Sequence, residues 1–147
     1  IETSKKFLNY KDDEYKPLFR NQENVKFVLE ALFGATNEVY GTSYGSRIDD
    51  KKYQFAGKTG TAQVKKITEA QRELDLEDKD IPYFERDHAW YVAFGPYKDP
   101  RYAMCVLVEH GGSGSKAAAP IAKKLFKLLI DRHEEREKIR KQKLLNV

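Results

Sequence analysis

The sequence predicts an α+β fold: an antiparallel sheet flanked by helices. Two observations carry this expectation. Two apolar runs, "HAWYVAFGPY" and "RYAMCVLVEH", are separated only by "KDP", a spacing that makes them neighbouring antiparallel strands. On either side of them in the chain, apolar residues recur at helical rather than strand spacing. The order helix, strand, strand, strand, helix then follows, and one domain accommodates all 147 residues.

The elements follow in chain order. Residues 1–23 are polar, with Pro17 interrupting any helix, and read as an extended lead-in. From Asn24, the residues Val25, Val28, Leu29, Leu32, Thr36 and Val39 mark a helix with one buried face, capped by Asn21 or Asn24 and stopped by Gly41. After the loop "GTSYGSRIDDKK", Tyr53 to Val64 reads as a strand, with Gly57 and Gly60 hinting that something approaches its backbone. Residues 65–87 are charged and interrupted by Pro82. They read as a solvated insertion with a short helix over Thr68 to Glu77.

In the hairpin, Trp90, Val92 and Phe94 oppose Ala89, Tyr91 and Ala93, so both faces are apolar and both are expected to be buried. Cys105, in the middle of the second run, is then expected to be a small buried hydrophobe with an inert thiol. "GGSGS" reads as a flexible turn. From Ala117 a second amphipathic helix follows, with Ala118, Ile121, Ala122, Leu125, Leu128 and Leu129 on its inner face. Residues 131–147 form a charged helical tail, and its stretch from Arg132 to Lys143 holds six basic and three acidic groups, as a solvated helix face does.

Composition narrows the function. No apolar run approaches the roughly 20 residues that cross a membrane. The 27 basic and 23 acidic residues are interspersed, so no field of one sign is set up for nucleic acid. One cysteine allows neither an intrachain disulfide nor a thiolate cluster. His88, His110 and His133 lack the paired spacing of a zinc site, so no metal and no cofactor is expected. The chain opens at Ile1, without a methionine, which suggests a piece of something longer.

The segment "FAGKTGTAQV" carries the chemistry. Gly57-Lys58-Thr59 matches the end of a phosphate-binding loop, but such a loop requires a glycine where Lys52 stands. Gly60 is also a poor start for the helix that should follow. The alternative is K-[ST]-G on a strand beside a serine nucleophile. On a strand, Lys58 and Gly60 face one way and Thr59 and Thr61 the other. An extended acyl donor could add alongside as a further strand.

Together with "RDHAWYVAFGPYKDPRYAMCVLVEHGGSGSKAAAPIAKKLF", this segment closely resembles the closing part of the transpeptidase domain of class B penicillin-binding proteins, in particular their penicillin-binding protein 2, or elongation, subfamily. The resemblance runs from about Val25 to about Phe126. It implies a partial transpeptidase fold, with residues 1–147 as the C-terminal portion of the domain. It assigns Lys58 and Thr61 catalytic roles and makes Thr59, Gly60 and Thr61 substrate-binding, the Thr61 amide being one oxyanion donor. Implied partners are peptidoglycan stem peptides, β-lactam antibiotics, the remaining half of the domain and the cell-elongation machinery. The implied location is the periplasmic face of the bacterial inner membrane. A β-lactamase, a penicillin sensor and a nucleotide-binding module are the alternatives.

The family also uses S-x-x-K and S-x-N. Ser113-Gly114-Ser115-Lys116 spells the first, but in a glycine-rich turn of the closing segment, and the serines at 43 and 46 are not followed by asparagine two positions on. The isolated chain is therefore expected to form no stable adduct with labelled penicillin. Peptide mass mapping checks this, and a penicilloyl group on Ser113 is the result that would reverse it.

Overall fold

The computed structural model describes residues 21–66 and 80–145. The lead-in before Asn21 and the helix expected over Thr68 to Glu77 lie outside the described residues. The architecture is α+β: helix α1 (Gln22–Asn37), strand β1 (Ala56–Ala62), strand β2 (His88–Gly95), strand β3 (Tyr102–Val108) and helix α2 (Ala119–Leu145). The three strands form one antiparallel sheet in the order β1-β2-β3.

Each boundary has a local cause. Asn21 caps α1, its side-chain oxygen accepting the Glu23 amide at 2.9 Å. The helix ends at Asn37, and the chain then folds back on it, Ser43 donating its amide to the Ala35 carbonyl at 3.0 Å. Gly41 makes this return possible: a Cβ there would lie 2.5 Å from the Ala35 carbonyl oxygen. Before α2, the segment Gly114–Ala118 makes one wide helical turn, so the glycine-rich stretch is packed structure rather than a loose turn.

The core lies on one side of the sheet. Ala89, Tyr91, Ala93 and Val106 point from β2 and β3 onto Ala118, Ala119, Ala122 and Phe126 of the wide turn and α2. Phe55 completes this layer, stacked nearly parallel on Phe126 (ring centroids 4.9 Å apart) and edge-on to Tyr91 (6.3 Å). Small residues on the helix let it approach closely, and the aromatic rings fill what remains. Outside the core, Lys52 and Tyr53 clasp α2 through Glu134 and Asp131. These groups are exposed, so the ion pairs hold α2 only weakly.

Three expectations need correction. The hairpin is not buried on both faces: Val92 is 56% and Leu107 44% exposed, and Cys105 beside them is exposed too. Register explains this, because Val92 opposes Cys105 and Trp90 opposes Leu107 on the face away from α2. The inner stripe of α2 is Ala119, Ala122, Phe126 and Ile130, while Ile121, Leu125 and Leu128 face outward. Ala118 and Ala122 are buried as expected, but the helix carries apolar residues on more than one face, and the face with small Ala119 and Ala122 beside Phe126 is the one that packs on the sheet. Finally, only Thr36 of α1 is buried, and Phe27, Val28 and Leu29 are exposed.

The face of α2 is directly testable. Phe126→Ala should lower unfolding stability by about 3–5 kcal/mol, while Leu128→Ala should stay within about 0.5 kcal/mol of the parent. Denaturant titration measures both.

Candidate functional site

Lys58, Thr59, Gly60 and Thr61 lie consecutively on β1, which among the described residues pairs only with β2. Lys58 opposes Val92 and Gly60 opposes Trp90, whereas Thr59 and Thr61 oppose Tyr91 and Ala89. The alternation expected from sequence is therefore present.

Backbone direction follows from the neighbours of β1. The Phe55 carbonyl accepts from Asn37 Nδ2 at 2.9 Å, and the Gly57 carbonyl from Thr36 Oγ1 at 3.5 Å, both donors being on α1. These odd-numbered residues thus direct their polar groups away from β2. In an antiparallel strand the N–H and C=O of one residue face the same side, alternating along the chain. Thr59 and Thr61 accordingly present amide and carbonyl to the edge that α1 leaves uncovered. The Thr59 carbonyl confirms this direction by accepting Lys58 Nζ at 3.0 Å. Lys58 Nζ also donates to Thr59 Oγ1 at 3.3 Å, and Thr59 Oγ1 donates to Thr42 Oγ1 at 3.4 Å. Lys58, Thr61 and Thr42 are exposed, Thr59 and Gly60 half-buried.

Two supports hold the strand from beneath. Tyr91 lies under Gly57, where a Cβ would be 2.7 Å from the phenol oxygen, and this phenol shares hydrogen bonds with Thr36 Oγ1 (2.8 Å) and Ser43 Oγ (3.2 Å). Thr36, Ser43 and Tyr91 are all buried, and burial raises the Tyr91 pKa above the ordinary phenol range, so it stays a neutral partner. The second support is Gly114. A Cβ there would lie 2.7 Å from the Gly60 carbonyl oxygen and closer still to that of Trp90.

The other sequence candidates fall elsewhere. Ser113, next to Gly114, shares a hydrogen bond with Ser115 (2.9 Å). His88 and His110 meet at the end of the hairpin, where His88 Nδ1 accepts the His110 amide at 2.9 Å. His133 is apart from them, beside Arg101 and Tyr102. Among the described residues no group of three or more His, Cys, Asp or Glu side chains converges as a metal site would. Sequence reading put Thr36 on the buried face of its helix without a role for its hydroxyl, and it missed Thr42, Ser43 and Gly114 as parts of the site, since single hydroxyls and glycines carry no periodicity. The sign available was Gly41, a glycine placed to let the loop return over its helix.

The description "Penicillin binding protein transpeptidase domain" fits residues 5–127. The chain belongs to this family. Among curated relatives, the peptidoglycan D,D-transpeptidase MrdA of Salmonella typhimurium is 39% identical over 104 residues, which cover 71% of this chain and 16% of that protein. MrdA of Haemophilus influenzae is 34% identical over 95 residues, covering 65% of this chain and 14% of its own. The chain thus spans a small part of the length of these relatives. Among solved structures, the penicillin-binding protein PBP2 of Helicobacter pylori in complex with MreC superposes with a TM-score of 0.60 at 35% identity, over 75% of this chain and 18% of that one. PBP2 of Pseudomonas aeruginosa in complex with WCK 5153 gives 0.57 at 31% identity, over 76% and 21%. The transpeptidase family therefore accounts for the α+β architecture, and no helix among the described residues is long and apolar enough to cross a membrane.

Gly114→Ala should displace the Lys58–Thr61 strand and destabilise the fold by about 1–3 kcal/mol through overpacking. Thermal melting of the variant beside Gly45→Ala, where a Cβ meets nothing within 4 Å, separates the two sites.

Proposed function

We propose that this chain forms the K-T-G wall of the active site in an elongation-type peptidoglycan D,D-transpeptidase. The observation that carries the reading is the free edge of β1: in a chain of this family, Thr59 and Thr61 direct both backbone groups to an edge with no strand partner among the described residues. An extended stem peptide ending in D-alanyl-D-alanine adds along such an edge, with backbone hydrogen bonds for affinity.

The residues then take the following roles. The hydroxyls of Thr59 and Thr61 form the end of the site that binds the terminal carboxylate, and Gly60, on the opposite face against Trp90, adds no side chain to the strand. A serine hydroxyl attacks the penultimate D-alanine carbonyl, forming the acyl-enzyme ester and releasing D-alanine as the amine. The Thr61 amide donates to the oxyanion of the tetrahedral intermediate, where a positioned donor acts most strongly. Lys58 supplies positive charge next to the reacting groups and organises the proton network. An amine on a neighbouring glycan strand then attacks the ester, closing the cross-link and freeing the serine. β-Lactams enter by the same acylation.

The serine of S-x-x-K and the S-x-N motif belong, in this reading, to the remaining half of the domain. Ser113, whose hydroxyl shares a hydrogen bond with that of Ser115, is not assigned the nucleophile's role in this reading. The short share of each relative covered by this chain supports such a division. The relative solved with MreC supports the elongation machinery as partner. The periplasmic face of the inner membrane is where peptidoglycan is cross-linked.

In the full-length protein carrying this chain, Lys58→Ala should slow acylation by a fluorescent penicillin by about 10²-fold or more without lowering the melting temperature, since Lys58 is exposed. An unchanged acylation rate would remove Lys58 from the mechanism.

A further inference from the structure

We propose that Thr42 is a further substrate-contacting hydroxyl of this groove: Thr59 directs its proton to Thr42, and Thr42 donates its own to the terminal carboxylate that Thr61 also holds. The proposal rests on the transpeptidase reading and extends it to a residue outside the K-T-G strand.

The direction of the hydrogen bonds is the first argument. Lys58 Nζ has protons and no acceptor, so its bond to Thr59 Oγ1 leaves the Thr59 oxygen as acceptor. The Thr59 proton is then directed to Thr42 Oγ1. Thr42 accepts that bond and keeps its own proton available to donate from an exposed side chain. The chain Lys58, Thr59, Thr42 thus begins at a cation and ends in a donor, as an anion-binding arrangement requires. A carboxylate accepting that proton completes a charge-assisted bond, stronger than one between neutral groups.

The second argument is how Thr42 is held. Its two neighbours are fixed: Gly41 donates its amide to the Glu38 carbonyl at 2.8 Å and has no room for a Cβ against α1. Ser43 is buried, with its amide and its hydroxyl both on the Ala35 carbonyl at 3.0 and 2.9 Å, and its hydroxyl also on Tyr91. An exposed threonine between two anchored residues loses little further freedom when it binds, which favours its use as a contact. The buried Thr36, Ser43 and Tyr91 hydroxyls therefore support both Gly57 on the strand and the shelf carrying Thr42, which keeps the two in register.

The test uses the full-length protein and two probes: a penicillin with its free carboxylate and the same penicillin with that carboxylate capped as a methyl ester. Thr42→Val should lower the second-order acylation rate with the free acid about tenfold, leave the rate with the ester unchanged, and leave the melting temperature unchanged. Thr42→Ser, which keeps the hydroxyl, should restore the free-acid rate to within about threefold. An equal loss on both probes would mean that Thr42 only shapes the strand, and no loss on either would mean that it does nothing in the groove; both results overturn the proposal. Failure of the unsubstituted protein to be acylated at all would overturn the transpeptidase reading itself, and is seen before any variant is made.

Discussion

The phenol of Tyr91 is the point at which the separate parts of this structure meet. Its ring packs edge-on to Phe55 within the core under α2, and its hydroxyl reaches past Gly57 to Thr36 on α1 and to Ser43 in the following loop. One side chain thereby ties the middle strand, the helix beside the edge strand and the loop over it. A hydroxyl in such a position must be partnered, because an unpaired buried donor costs about 1–3 kcal/mol. Three hydroxyls bonding one another meet that requirement without any charge in the core. Glycine at position 57 is needed for the same reason, as any side chain would occupy the space that the phenol crosses.

The second organising fact is that the sheet is covered on one side. α2 meets the face bearing Ala89, Tyr91 and Ala93, while Val92, Cys105 and Leu107 are left exposed on the other, as are Phe27, Val28 and Leu29 on α1. Apolar surface of this extent is unusual on a self-sufficient domain and marks places where further protein packs. The transpeptidase relatives are several times longer than the matched segment, so their additional length can supply such cover. The proposed site is on the free edge of the same sheet, and a cleft closed from several sides needs walls other than β1.

How much of this was legible in the sequence depended on which interactions repeat. The hairpin was, because two apolar runs joined by a short connection specify pairing, and its strands run close to the segments expected. The Lys58–Thr61 strand was, because the K-T-G motif and the alternation of its side chains both come from consecutive residues. Burial was not legible in the same way: Cys105 and Val92 are as apolar as core residues, and only the placement of α2 tells which face is covered. The stripe on α2 was only partly legible, because apolar residues occupy more than one face of this helix and residue type alone does not tell which face meets the sheet. Thr36 was legible as a buried helix position, but the bonds of its hydroxyl to Tyr91 and Ser43, and that of Thr42 to Thr59, link residues 7 to 55 positions apart and follow from the tertiary fold alone.

Strand geometry also decides between the two chemistries compatible with the letters G-K-T-G. A phosphate cradle needs successive amides turned towards one point, in a loop that leads into a helix. In β1 successive amides alternate: those of Lys58 and Gly60 lie on the side of β2, and those of Thr59 and Thr61 on the open side. Only every second amide is available to a ligand, with a repeat of two residues that matches an extended chain and not a compact phosphate. The Lys58 ammonium is turned along the strand onto Thr59, where it polarises a hydroxyl instead of converging with amides. A cation acting through a row of hydroxyls favours an anion at the end of an extended ligand, which is the form of a peptide's terminal carboxylate.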